Sequence, residues 1–242
     1  MQHSCREALS LKKIKMILLF ILVLALLGGG YTLYYYYNQS QNFFTTENAQ
    51  VTANMVTVTP EATGKVTSWD IKEGEMVEVG QVLGRQDISM MVSSSQINSQ
   101  ALSSTANSVI SKAEIKSPID GKVIQTTTIK GQVLSPGMEA AIIADVSNIY
   151  IKANIEETEI FKISSGQKVD ITIDAYKNKK FTGYVTQIGQ ATQSTFSAFP
   201  SLNTSGTYSK VTQLIPIKIG IVNDENLQLM PGMNATVKVH IK

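Results

Sequence analysis

Four segments in the C-terminal half of the chain alternate apolar and polar residues. A period of two places one face of a strand in a core and the other in water. Several such segments at short spacing predict a small antiparallel β-barrel. Residues 156–163 start with acidic side chains and are followed by Gly166, a pattern that predicts one short helix. The alternating apolar residues are Ile149, Ile151, Ala153 and Ile155; Val169, Ile171 and Ile173; Ile215, Ile217, Ile219 and Ile221; and Ala235, Val237, Val239 and Ile241.

The N-terminal half carries a different pattern, a set of glycine and apolar positions that occurs twice with the same internal spacing. Glycines at fixed intervals between Val- and Ile-rich stretches mark tight turns or close backbone approaches. Each copy therefore predicts a few short strands and turns, and neither copy could bury its apolar face alone. The first copy comprises Gly64, Val66, Gly74, Val77 and Gly80, and the second comprises Gly121, Val123, Gly131, Leu134 and Gly137.

A polar insert, residues 89–112, separates the two copies. Its single charge is that of Lys112. The apolar positions of the insert allow two short helical pieces. Its Ser-, Asn- and Gln-rich composition is a poor helix former and is equally consistent with a flexible loop. Even two antiparallel helices of about ten residues would project only about 15 Å.

Near the N-terminus, residues 16–37 form an apolar and aromatic segment without a charge. A helix of that length reaches about 30 Å, enough to cross the hydrocarbon core of a bilayer. Residues 1–15 hold four basic residues and one acidic residue, so the positive-inside rule places them in the cytoplasm and the rest of the chain outside. A cleaved signal peptide is the alternative, but no clear small-residue cleavage site follows the apolar run.

Charge and candidate chemistry exclude several classes of protein. Residues 16–242 hold 17 basic and 18 acidic residues without a basic stripe, which argues against a nucleic-acid partner. His3 and His240 fall on opposite sides of the membrane in this topology and cannot share a metal ion. No hydrolase, metalloprotease, nucleotide-binding or redox motif occurs. We expect no catalytic, cofactor-binding or metal-binding residues, no cofactor, and no enzymatic activity. Two acidic groups are interpreted as solvated surface: Asp70, Glu73, Glu75 and Glu78, and Glu156, Glu157 and Glu159.

The repeated glycine pattern resembles the two halves of lipoyl and biotinyl carrier domains, here residues 56–88 and 113–145. A true carrier joins its halves by a tight turn that bears the modified lysine, and the insert takes the place of that turn. A carrier domain that is split in this way is similar to the HlyD/EmrA family of membrane fusion proteins. Residues 45–51, Thr-Thr-Glu-Asn-Ala-Gln-Val, resemble the strand by which that family enters its barrel, and residues 229–233, Leu-Met-Pro-Gly-Met, resemble the segment before its last strand.

The resemblance implies a mainly β protein with one N-terminal transmembrane helix. A split lipoyl/biotinyl-like (barrel-sandwich hybrid) domain and a small antiparallel β-barrel domain follow this helix. The expected boundaries are a cytoplasmic N-terminus 1–15, a transmembrane helix 16–37, a linker and first barrel strand 38–55, lipoyl-like halves 56–88 and 113–145 around the insert 89–112, and a barrel domain 146–242.

The implied function is a non-enzymatic, membrane-anchored adaptor of a multidrug or secretion efflux transporter, with the main domain outside the cytoplasmic membrane. The expected partners are a cytoplasmic-membrane transporter, with a major-facilitator drug/H⁺ antiporter favoured over an ABC exporter, and further copies of the chain. An outer-membrane channel is not expected, because the insert lacks the long helical hairpin that reaches one. The alternative is a surface-anchored envelope-binding or structural protein without a transporter.

Overall fold

The computed structural model describes residues 20, 22–32, 34, 35, 37, 42–89, 111–196, 212–223 and 227–241. The strands are β1 (Phe43–Thr52), β2 (Met55–Val58), β3 (Gly64–Trp69), β4 (Met76–Val77), β5 (Val82–Asp87), β6 (Glu114–Lys116), β7 (Gly121–Thr126), β8 (Val133–Leu134), β9 (Ala141–Ala144), β10 (Tyr150–Glu156), β11 (Lys168–Ile173), β12 (Phe181–Ile188), β13 (Leu214–Val222) and β14 (Asn234–His240). Short 3₁₀ turns occupy Ile160–Lys162, Asp174–Tyr176 and Gln193–Phe196.

Six antiparallel strands form a closed barrel in the order β1-β10-β13-β12-β11-β14. The predicted antiparallel barrel is confirmed, and its core consists of the side chains that the period of two placed inward. These buried side chains include Ile151, Ala153, Ile155, Val169, Ile171, Ile173, Ile217, Ile219, Ala235, Val237 and Val239. Closure pairs each of the six strands on both sides, so the barrel has no open edge.

The two glycine-rich copies interlock in a second domain made of two four-stranded sheets. One sheet has the order β2-β9-β7-β4 and the other β6-β5-β3-β8. The number of residues between Gly64 and Gly121 also separates the equivalent strands of the two copies, such as β3 and β7 or β4 and β8. In each such pair the two strands belong to different sheets. Each sheet therefore takes two strands from each copy, as expected for halves that cannot bury an apolar face alone. The split barrel-sandwich hybrid predicted from the repeat is confirmed.

The hydrogen bonds that join the halves obey the same two-fold relation. The Gly74 N–H donates to the Val123 carbonyl at 2.8 Å, and the equivalent Gly131 N–H donates to the Val66 carbonyl, also at 2.8 Å. Trp69 donates from Nε1 to the hydroxyl of Thr126, its equivalent in the second copy, at 2.8 Å. Each half thus makes the same backbone contact to the other, and positions 69 and 126, which are equivalent, meet directly.

The first glycine of each copy marks a close approach between strands. A Cβ atom on Gly64 would lie 2.6 Å from the carbonyl oxygen of Asp87, and one on Gly121 would collide with the carbonyl oxygen of Ala144. The remaining four repeat glycines have a positive φ and form turns that L side chains rarely adopt. These are Gly74, Gly80, Gly131 and Gly137.

The lipoyl-like domain is inserted into the barrel. Strand β1 pairs with β10 and β14 in the barrel, and β2 begins three residues after β1 ends. The chain returns to the barrel through residues 145–149, where the Asp145 N–H donates to the Asn54 carbonyl at 2.9 Å. Two adjacent connecting segments, residues 53–54 and 145–149, therefore join the two domains.

The helix predicted over residues 156–163 is wrong. Strand β10 continues to Glu156, which pairs with Leu214, and only Ile160–Lys162 form a 3₁₀ turn. Ile160 and Ile163 are both buried in the barrel core. Their spacing puts both on one face of a 3₁₀ turn, and this lets the short loop between β10 and β11 cover the end of the barrel.

The N-terminal segment and the insert are described only in part. Residues 22–32 are helical, with exposed apolar side chains such as Leu26 and Leu27. Among the residues that the structure describes, no helix combines the length and the apolarity that a bilayer crossing requires. The prediction of helical pieces or a loop in the insert concerns residues 90–110, which lie outside the described residues.

Replacing residues 90–110 by a short Gly/Ser linker is expected to leave the lipoyl-like domain folded. Its buried residues, from Val58 to Ile88 and from Ile115 to Ala144, come from the two halves themselves, and a flexible linker closes such a gap at small entropic cost. Urea unfolding followed by the fluorescence of Trp69 tests this. A lost or non-cooperative transition would mean that the insert belongs to the core.

Candidate functional site

One end of the barrel gathers the start of β1, the end of β14 and the loop between β10 and β11. We call this the proximal end, defined by Phe43, His240 and residues 157–167. The opposite end of the barrel faces the lipoyl-like domain. The chain reaches the barrel from its N-terminal segment at the proximal end, since β1 begins there.

Phe161, at the proximal end, is a large apolar side chain that is 94% exposed to solvent. Its neighbours Ile160 and Ile163 turn inward and are buried, so the 3₁₀ turn directs Phe161 outward. Burying a phenylalanine in an apolar environment is worth about 1.5–3 kcal/mol. The exposed ring therefore gains this free energy if a partner covers it, which makes Phe161 the candidate contact residue of the proximal end.

The loop that carries Phe161 is fixed to the barrel by hydrogen bonds. Gly166, at φ +88°, donates its N–H to the Val185 carbonyl at 2.8 Å. The side-chain amide of Gln167 donates to the carbonyls of Lys162 and Ile241, both at 3.3 Å. Lys162 forms an ion pair with Glu159 at 2.7 Å. The loop thus presents Phe161 on a supported turn.

The start of β1 is held at the same end by a small cluster. The rings of Phe43 and His240 meet edge to face with centroids 4.9 Å apart, and Lys238 Nζ lies 3.9 Å from the centre of the Phe43 ring. Nε2 of His240 lies 2.8 Å from a carboxylate oxygen of Asp170. This cluster fixes the point where the N-terminal segment joins the barrel.

The two acidic groups interpreted as solvated surface lie apart, one in each domain. The side chains of Asp70, Glu73, Glu75 and Glu78 are exposed, as are those of Glu156 and Glu157, whereas Glu159 is half-buried. Across the described part of the chain, no three His, Cys, Asp or Glu side chains are arranged to hold a metal ion.

Two carboxyl groups with shifted pKa values lie at the base of the insert. The hydroxyl of Ser89 donates to the carboxylate of Asp87 and lowers its pKa. A hydrogen bond from Lys116, 3.1 Å away, lowers the pKa of Glu114. Both groups are therefore firmly ionised near neutral pH, which is the wrong state for a general acid.

Two other aromatic residues, Trp69 and Tyr150, have structural roles. Trp69 joins the two halves through Thr126, and the ring of Tyr150 lies 3.8 Å below Lys218 Nζ on the barrel. Phe161 was not identified from the sequence as an interaction residue. It lies within the segment predicted as a helix, and only the 3₁₀ turn reveals that it points away from Ile160 and Ile163.

Comparisons with known proteins match both domains. Residues 54–146 match the family described as "RND MFP, barrel-sandwich hybrid domain", and residues 149–239 match the "YknX-like beta-barrel domain". The chain is 38% identical over 201 residues to the putative efflux system component YhbJ of Bacillus subtilis, which covers 83% of this chain and 81% of YhbJ.

Other relatives are longer than this chain. It is 34% identical over 134 residues to the colistin resistance protein EmrA of Acinetobacter baumannii, covering 55% of this chain but only 38% of that protein. A crystal structure of a MacA–MexA chimera containing the Pseudomonas aeruginosa MexA alpha-hairpin domain superposes with a TM-score of 0.66 at 21% identity. That superposition covers 83% of this chain and 82% of the chimera, and at this identity it shows the shared fold.

Proposed function

This chain belongs to the membrane fusion proteins of bacterial efflux systems, and we propose that it is the membrane-anchored adaptor of an export transporter in the cytoplasmic membrane. The role is one of assembly and requires no chemistry from the chain. The EmrA-type resemblance favours a major-facilitator drug/H⁺ antiporter as the partner, with an ABC exporter as the second candidate.

The observation that carries the proposal is the extent of the likeness to the efflux component YhbJ. The matched 201 residues extend well beyond the range 54–146 of the lipoyl-like match, so they must include much of the barrel. A likeness confined to the lipoyl-like domain would also suit the carrier subunit of a multienzyme complex. The barrel has no place in such a carrier and suits an adaptor.

The position of the proximal end supports docking at the membrane. Only residues 38–42 separate the apolar segment 16–37 from β1, and a stretch of that length spans at most about 18 Å. If the apolar segment crosses the bilayer, the proximal end and Phe161 face the membrane surface. The outer loops of a transporter in the same membrane also lie at the membrane surface, within reach of the proximal end.

The two-residue edge strands of the lipoyl-like domain support assembly of several copies side by side. Among the described strands, β4 pairs with β7 alone and β8 pairs with β3 alone. Exposed apolar side chains lie on or next to these edges, namely Met76, Val79, Ile129, Val133 and Met138. An apolar edge of this kind invites pairing with another chain.

The proposed topology predicts a specific labelling pattern. Glu61, exposed on the lipoyl-like domain, is replaced by cysteine, and intact cells are treated with a membrane-impermeant thiol reagent. The introduced cysteine should react, whereas the natural Cys5 should react only after the cells are permeabilised. Labelling of Cys5 in intact cells, with no reaction at position 61, would reverse the proposed orientation.

Affinity capture tests the adaptor function directly. The tagged full chain is purified from detergent-solubilised membranes of its own host, and the co-purifying proteins are identified by mass spectrometry. We expect an integral-membrane exporter, and its type decides between the antiporter and the ABC exporter. Capture of envelope components without any transporter would support the envelope-binding alternative instead. The short insert leads us to expect no outer-membrane channel in the captured complex.

A further inference from the structure

A cleft of about 680 Å³ lies between the lipoyl-like domain and the barrel. One wall is formed by β4 and β7 of the lipoyl-like domain, and the other by the end of β13 and residues 227–231. Its volume lies within the range of pockets that bind small organic molecules, and such pockets occur preferentially between domains.

Both walls of the cleft are largely apolar. Met76 and Ile124 line it from the lipoyl-like domain, and Ile149, Ile221 and Leu229 line it from the barrel. Met76 and Ile124 remain exposed to solvent within the described structure. A ligand that covers this apolar surface removes it from water, and this contributes favourably to the free energy of binding.

Lys122 is the only charged residue among the described residues that line the cleft. Its ammonium group forms no ion pair with any described carboxylate. The side chain passes Gly74, where a Cβ atom would lie 3.8 Å from Lys122 Cε. Gly74 has φ +87°, so the turn favours glycine, and the lysine stem runs alongside it.

We propose that this cleft binds an amphipathic organic anion, with its apolar body between the two domains and its anionic group on Lys122. The apolar walls supply most of the contact area, and Lys122 selects the charge of the ligand. A ligand in this position touches both domains and therefore favours one arrangement of the lipoyl-like domain relative to the barrel. This site is additional to the docking surface at the proximal end.

The internal repeat supplies a matched control for Lys122. Its counterpart one repeat earlier is Lys65 on β3. Lys65 pairs with Val133 just as Lys122 pairs with Met76, so the two lysines share the same local strand geometry. Lys65 does not line the cleft. Any general effect of removing a lysine from this domain should appear equally at both positions.

Isothermal titration calorimetry with naphthalene-2-sulfonate tests the proposal on the full chain in lipid nanodiscs, with empty nanodiscs as the blank. The uncharged 2-naphthalenemethanol is the comparison probe. We expect saturable binding of the sulfonate, at least tenfold weaker binding to Lys122→Met, and unchanged binding to Lys65→Met. Ile124→Glu, which adds a carboxylate to the cleft wall, should also weaken sulfonate binding at least tenfold. The affinity of the neutral alcohol should stay within about twofold in Lys122→Met.

Three results would overturn the proposal. They are absence of saturable sulfonate binding, equal affinity for the sulfonate and the alcohol, and equal losses in Lys122→Met and Lys65→Met. Circular dichroism verifies that each variant is folded, and Ile124→Glu provides an independent reading should Lys122→Met fold poorly. The titration contains no transporter, so its outcome is separate from that of affinity capture.

Discussion

Replacing Gly64 by alanine is expected to destabilise the lipoyl-like domain by about 3 kcal/mol. The added methyl group would lie 2.6 Å from the Asp87 carbonyl oxygen and 2.9 Å from the Ile88 side chain. The first of these is backbone of the paired strand β5, which cannot move aside without breaking the β3–β5 ladder. Urea unfolding followed by tryptophan fluorescence measures the loss, because Trp69 is the only tryptophan in the chain.

The repeat predicts a second variant with the same behaviour. Gly121→Ala places its methyl group against the Ala144 carbonyl, the equivalent of Asp87, and should lose a similar free energy of unfolding. Lys65→Ala serves as the control, since Lys65 follows Gly64 on the same strand and its side chain is exposed. If both repeat variants lose less than about 0.5 kcal/mol, the range of an ordinary surface substitution, the close approach of the strands is contradicted.

Replacing Phe161 by serine is expected to reduce capture of the transporter strongly while the barrel stays folded. The side chain is 94% exposed and makes little contribution to the core, so the melting temperature should change little. An aromatic anchor at the centre of an interface is worth about 2 kcal/mol or more, which corresponds to about a 30-fold loss of affinity. Affinity capture from solubilised membranes, with the transporter quantified against the tagged chain, measures this loss.

Met55→Ser provides the control for Phe161. Met55 is also exposed, at 45%, but it lies on β2 of the lipoyl-like domain, away from the proximal end and outside the edge strands β4 and β8. Its replacement should leave transporter capture unchanged. If Phe161→Ser captures the transporter as well as the unchanged chain does, the proximal end is not the docking surface.

The architecture was predictable to a large extent, because repetition and alternation are properties of the sequence itself. The interval between Gly64 and Gly121 corresponds to a two-fold relation between whole strands. The alternation at Val169, Ile171 and Ile173 corresponds to one buried face of β11. Both patterns arise from local geometry, so no knowledge of distant contacts was needed to recognise them.

Strand β12 shows where such patterns fail. Its inward positions are Phe181, Gly183 and Val185, and the glycine interrupts the apolar signal. Glycine is required there because a Cβ atom would lie 2.5 Å from the Gly220 carbonyl oxygen and 2.7 Å from the Ile171 side chain. The need for glycine comes from the packing of β13 and β11, which the sequence of β12 does not contain.

The candidate sites were harder to predict than the fold. Phe161 stands next to two buried isoleucines in the sequence, and a helical pattern of residues 156–163 groups it with them. Only the 3₁₀ geometry separates their directions. The cleft around Lys122 depends on how two domains lie together, and its walls come from segments that are far apart in the chain. Local sequence patterns therefore do not predict which residues of the two domains lie next to each other.

From the pairing of β1 with both β10 and β14 we expect an order of folding. Phe43 pairs with His240, so the barrel joins the first described strand to the last, and such non-local contacts form slowly. The lipoyl-like domain needs only residues 55–144. If the chain emerges from a membrane translocase N-terminus first, the lipoyl-like domain can fold before β14 has emerged to pair with β1. A premature stop codon before β14 would therefore leave a folded lipoyl-like domain on an open, protease-sensitive barrel.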